Sequence, residues 1–85
     1  MESYLDKNKI FSIIVEQIYT VCPNLVGTPI DLNHQMSELG IDSVDRQEII
    51  ILVLEVIGLE VPMVQLHGPK NIGELADLLF IKCGA

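Results

Sequence analysis

The run Ile49-Ile50-Ile51-Leu52-Val53-Leu54 is the longest unbroken apolar stretch in the sequence, and it constrains the fold more than any other feature. Its β-branched residues would suit a buried strand. A strand needs a partner, and no second segment of the chain offers one. The stretch is far shorter than the roughly 18 residues that cross a bilayer, and Glu55 ends it. Within a longer segment from Ser43 to Ile57 it reads as a helix, because that segment exceeds the roughly 5–6 residues of a typical strand. Asp42, Ser43, Asp45 and Glu48 crowd its start, where caps and negative charge oppose the positive end of the helix dipole. Gly58 stands where a helix commonly ends in a left-handed glycine.

Two further segments have helical periodicity. From about Asp6 to Cys22, Phe11, Ile14, Val15, Ile18 and Cys22 fall on one face. Asp6 can cap this helix, and Pro23 marks its stop. From about Asn71 to Lys82, Ile72, Leu75, Ala76 and Leu79 form a stripe, and Asn71 with Glu74 has capping-box spacing. Between Pro62 and Leu66 a single helical turn is expected, broken by Gly68-Pro69. The connection from Pro23 to Gly40 is rich in turn formers. Leu25, Val26, Ile30, Leu32, Met36 and Leu39 give it apolar side chains, so an ordered loop is expected. These features predict an all-α bundle of three main helices plus one short helix, in a single domain spanning residues 1–85.

Composition narrows the function. The formal charge is −7, and from Ile10 to Pro69 the only cation is Arg46, set against eight carboxylates. Nucleic-acid binding needs clustered cations to displace phosphate counterions and is excluded on this ground. An anionic membrane would repel the same surface, whereas a basic protein surface would be attracted to it. The net charge and the lack of a sustained heptad seam predict a monomer. No basic region followed by an apolar stretch opens the chain, so no secretory leader is expected. Cys22 and Cys83 have no metal spacing and read as two separate thiols in a reducing cytoplasm.

Catalysis has little support. His34 and His67 lie in expected turns, and a nucleophilic triad needs a pocket and an oxyanion hole that so small a core hardly accommodates. The scattered His and Cys residues match no metal motif. The chain is therefore expected to be non-catalytic. Ser43 is different: a serine where a long loop enters a helix can present its hydroxyl to solvent, and the amide groups and dipole at that end favour a phosphate. The plain alternative is that Asp42 or Ser43 only caps the helix.

Leu39-Gly40-Ile41-Asp42-Ser43-Val44 resembles the phosphopantetheine attachment motif of acyl carrier proteins, usually Leu-Gly-x-Asp-Ser-Leu, with Val44 in place of the usual Leu. The order of the expected elements is similar to that family along nearly the whole chain. The resemblance implies a 4'-phosphopantetheine arm, derived from CoA by a phosphopantetheinyl transferase and attached at Ser43, with Asp42 as a motif residue. Ser43-Val44-Asp45-Arg46-Gln47-Glu48-Ile49, Val61-Pro62 and Pro69-Lys70-Asn71-Ile72-Gly73-Glu74-Leu75 look more specifically like the free-standing donor carriers of polyketide β-branching cassettes, although Pro69 stands where a small residue is usual. That likeness implies a malonyl or acetyl cargo held as a thioester. It implies as partners an acyltransferase, a decarboxylating ketosynthase-like enzyme and an HMG-synthase-like enzyme. A general fatty-acid or polyketide elongation carrier, or an unmodified helical adaptor, is the alternative.

The middle helix is apolar almost all round, more than one core stripe requires. With Ile49, Val53, Val56 and Ile57 facing inward, Val44, Ile51 and Leu52 or Leu54 lie nearer the surface, accompanied by Asp45, Glu48 and Glu55. An apolar centre with an acidic rim suits docking. The expected partner-binding residues are Val44, Asp45, Arg46, Gln47, Glu48, Ile51 and Glu55. Arg46 is expected either to pair with Asp42 one turn earlier or to discriminate between partners.

Overall fold

The computed structural model describes residues 6–83; the reading of the first five residues as lacking a leader lies outside that range. Three α-helices, α1 (Lys7–Val21), α2 (Ser43–Ile57) and α3 (Ile72–Lys82), make up the bundle, with short 3-10 turns at Pro23–Leu25, Met36–Leu39 and Met63–Leu66. No strand occurs among the described residues, as the unpaired apolar run requires. No described helix is long and apolar enough to cross a membrane.

Each helix starts on a side-chain cap visible in the sequence. The carboxylate of Asp6 accepts the Lys9 N–H (2.8 Å), that of Asp42 accepts the Asp45 N–H (2.8 Å), and the Asn71 side chain accepts the Glu74 N–H (2.8 Å). The capping box at α3 is displaced by one residue: Glu74 accepts the N–H of Lys70, not that of Asn71. Helix α2 ends on Gly58 in the left-handed region (φ 71°). There the Leu59 N–H returns to the Leu54 carbonyl (3.0 Å), which satisfies an acceptor the helix leaves free.

The core is aliphatic. Helix α1 contributes Ile10, Ile13, Ile14 and Ile18, while Phe11 and Val15 are only half-buried, so its stripe is rotated from the expected one. Helix α3 buries Ile72, Leu75, Ala76 and Leu79 as its spacing predicts. Helix α2 buries Ile49, Ile50, Val53 and Leu54; Val56, expected inside, is 55% exposed. Packing against α1, with the buried Leu66 of the 63–66 turn in the same core, centres the stripe between residues 49 and 54. Val56 then falls at its edge. Leu54 therefore belongs to the core and Leu52 is half-buried.

The connection from α1 to α2 is ordered, but not by all the residues expected to pack. Leu25, Met36 and Ile41 are buried, whereas Val26 and Leu32 are exposed. Hydrogen bonds hold the segment. The Tyr19 hydroxyl donates to the Thr28 carbonyl (2.8 Å). The N–H groups of Ile72 and Gly73, free at the start of α3, donate to the carbonyls of His34 (2.9 Å) and Leu32 (2.8 Å). So close an approach has a steric requirement: a Cβ on Gly73 would lie 3.0 Å from the Leu32 oxygen and 3.1 Å from its Cβ. Gly73→Ala is expected to destabilise the fold by about 1 kcal/mol in chemical denaturation, because overpacking against a fixed carbonyl outweighs the gain in helix propensity.

Candidate functional site

The segment 35–43 delivers Ser43 to the surface at the start of α2. The Gln35 N–H donates to Glu38 Oε1 (2.8 Å) at the start of the 36–39 turn. Gly40 ends that turn at φ 81°, with its N–H on the Ser37 carbonyl (3.1 Å) and the Ile41 N–H on the Met36 carbonyl (3.0 Å). A side chain at φ 81° is strained, which accounts for glycine here. Ile41 then turns into the core and anchors the loop, and Asp42 runs extended into α2 as its N-cap.

Ser43 is the first residue of α2, exposed, and its hydroxyl makes no hydrogen bond among the described residues. The capping alternative is thus resolved in favour of Asp42. The Asp42 carboxylate satisfies the helix amide, and the Ser43 oxygen stays free at the positive end of the dipole. Behind this turn the Cys22 thiol donates to Asp45 Oδ2 (3.8 Å). Burial pushes the thiol pKa above its ordinary value, and the neighbouring Asp45 carboxylate adds to the rise. Cys22 is accordingly a protonated packing group, and both cysteines are unbridged.

The expected docking residues divide into two groups. Val44, Glu48, Ile51 and Glu55 are spaced i, i+4, i+7, i+11 and are all exposed, so they form one face. Val44 is 72% and Ile51 41% exposed. Gln47 is exposed but off this line, and Asp45 is half-buried against Cys22. Arg46 does not pair with Asp42. It lies in register with Ile49, Ile50 and Val53 on the inner side, half-buried, and its guanidinium donates to the Leu66 carbonyl (3.4 Å). Asp42 is already engaged as the cap, and the helical register points Arg46 toward the 63–66 turn. Sequence reasoning missed this contact because Leu66 lies 20 positions away.

The histidines offer no catalytic constellation. His34 Nδ1 accepts the Asp31 N–H (3.0 Å) within a turn, and His67 is exposed after the 63–66 turn. Among the described residues no group of His, Cys, Asp and Glu could hold a metal ion.

A free serine hydroxyl, held at a helix start by a separate cap in an acidic helical bundle, fits a protein that carries a covalent arm. Residues 13–79 match the phosphopantetheine attachment site family, and the chain belongs to that family. It is 47% identical over 78 residues to the polyketide biosynthesis acyl-carrier-protein AcpK of Bacillus subtilis (strain 168), covering 92% of this chain and 95% of that protein. It is also similar to a chain in the crystal structure of the curacin biosynthetic pathway HMG synthase in complex with acetyl donor-ACP. There the TM-score is 0.88 and the identity 41%, over 92% of this chain and 100% of that one. The all-α fold is thus that of an acyl carrier protein, and covalent phosphopantetheine is its prosthetic group.

The division of roles at the helix start has a measurable consequence. Asp42→Ala is expected to lower stability by about 1 kcal/mol through loss of the cap. Ser43→Ala is expected to change it by less than about 0.5 kcal/mol, as for a surface substitution that breaks no bond. Urea denaturation of both variants checks this, and the reverse order would make Ser43 the cap.

Proposed function

We propose that this chain is the acetyl-donor carrier of a polyketide β-branching cassette, a non-catalytic protein whose arm is attached at Ser43. The observation that carries the attachment is the free, exposed Ser43 hydroxyl beside an Asp42 that caps α2 on its own. The donor role is supported by the 41% identity to a chain crystallised with an HMG synthase as its acetyl donor-ACP and by the 47% identity to a polyketide carrier. When bound, the arm supplies a thiol on which an acyl group is held as a thioester. The protein's own part is to fix the origin of that arm and to give enzymes a surface to read.

The face of Val44, Glu48, Ile51 and Glu55 begins one residue after Ser43 and is the main docking surface in this reading. Its exposed aliphatics give a partner apolar area, and its carboxylates steer a basic surface toward it. Asp45 and Gln47 flank that face. The successive partners are a phosphopantetheinyl transferase, an acyltransferase, a decarboxylating ketosynthase-like enzyme that converts malonyl to acetyl, and an HMG-synthase-like enzyme. The carrier acts as a monomer in the cytoplasm.

Incubation with CoA and a phosphopantetheinyl transferase, followed by intact-mass measurement, is expected to show one phosphopantetheine increment on the wild type and none on Ser43→Ala. The acetyl-loaded protein is expected to serve the curacin-pathway HMG synthase better than an equally loaded carrier from an ordinary elongation module. Modification of Ser43→Ala would remove the site assignment. Equal transfer from both carriers would leave a general polyketide carrier.

A further inference from the structure

Five cations are present in this chain of net charge −7. Lys7 pairs with Asp77 (2.6 Å), and Lys82 donates to the Gln65 side chain (2.9 Å). Arg46 and Lys70, 24 positions apart in sequence, line one cleft together with Met36 and Pro69. Lys70 is exposed, and its amine has no ion pair or hydrogen bond among the described residues. The Arg46 guanidinium donates one N–H to the Leu66 carbonyl at the long distance of 3.4 Å, and its other N–H groups have no partner among the described residues.

The cleft has a free volume of about 20 Å³. That is little more than a single water needs, about 10–15 Å³. A notch of that size suits one oxygen at the tip of a carboxylate better than an acyl group. Nor does the adjacent start of α3 attract an anion through its amides. The N–H groups of Ile72, Gly73 and Glu74 are already taken by His34, Leu32 and Asn71. Any attraction for an anion there comes from the two side chains.

We infer that Lys70, with Arg46, forms a two-cation clamp that receives a protruding Asp or Glu side chain of the HMG-synthase-like enzyme. This inference rests on the donor reading above and deepens it. A partner that reads the acidic face of α2 presents cations. At the Arg46–Lys70 corner it must present an acid instead. A partner that is basic throughout meets repulsion there, so the clamp supplies discrimination that the α2 face alone does not.

The test compares acetyl transfer to the curacin-pathway HMG synthase from the wild type, Lys70→Arg and Lys70→Glu, each in its phosphopantetheinylated, acetyl-loaded form. Lys70→Glu is expected to lose about tenfold in kcat/KM at low ionic strength, and the deficit should shrink as salt rises. Lys70→Arg, which keeps the charge, should stay within about twofold of the wild type. The rate of Ser43 modification by the phosphopantetheinyl transferase should be the same in all three. Unimpaired transfer by Lys70→Glu, beside an active wild type, would overturn the clamp and leave the donor reading intact. An equal loss in modification and in transfer would also overturn it, since the effect would then not be specific to this partner. A wild type that serves the synthase no better than an elongation carrier would overturn the donor reading and the clamp with it.

Discussion

The place of Ser43 depends on how the connection between α1 and α2 is held. That segment is long and largely non-helical, and only part of it packs apolar side chains into the core. Hydrogen bonds complete its fixation, chief among them two backbone bonds in which His34 and Leu32 give their carbonyls to the free amides of α3. The same two bonds solve two problems. They satisfy α3 donors that a helix start leaves without partners, and they tie the middle of the loop to the far helix. Gly73 is what allows the approach. From this anchor the chain has one buried turn, at Met36, and one buried plug, at Ile41, before it reaches Asp42.

Charge is distributed by the same economy. Carboxylates at helix starts serve as caps, as Asp6 and Asp42 do, or accept a loop amide, as Glu38 and Glu74 do. These are bonds to backbone donors, short and charge-assisted, and they contribute more than exposed ion pairs do. Of the carboxylates of α2, Asp45 accepts the Cys22 thiol, and Glu48 and Glu55 are left on the outer face with Val44 and Ile51. The acids that cap helix ends are therefore not those of the outer face, so a change at Glu48 or Glu55 need not disturb a helix end.

Much of this was legible in the sequence, because the signals are local. Caps at Asp6, Asp42 and Asn71, the stop at Gly58 and the α3 stripe all act within one or two turns of themselves. The Asp42-Ser43 entry was equally local, and the family motif named the serine. What local pattern could not supply was the rotation of a helix with apolar residues almost all round. For α2 the inward side is chosen by what packs on it, so Ile50 went in and Val56 stayed out. The fate of Arg46 followed from that rotation. Facing the inner side, it met the Leu66 carbonyl instead of Asp42. The proximity of Lys70 to Arg46 likewise exists only once the helices are assembled.

Helix α2 takes its start from Asp42 and asks nothing of the Ser43 oxygen. A substituent can come and go on that oxygen without any backbone bond being made or lost. In the role proposed above, the bond that starts α2 therefore does not depend on whether the carrier is blank, primed or laden. An enzyme that must tell these forms apart would find the same cap in each. It would have to feel for what hangs from Ser43, and the outer face of α2, in the docking role proposed for it, would say only which carrier has arrived.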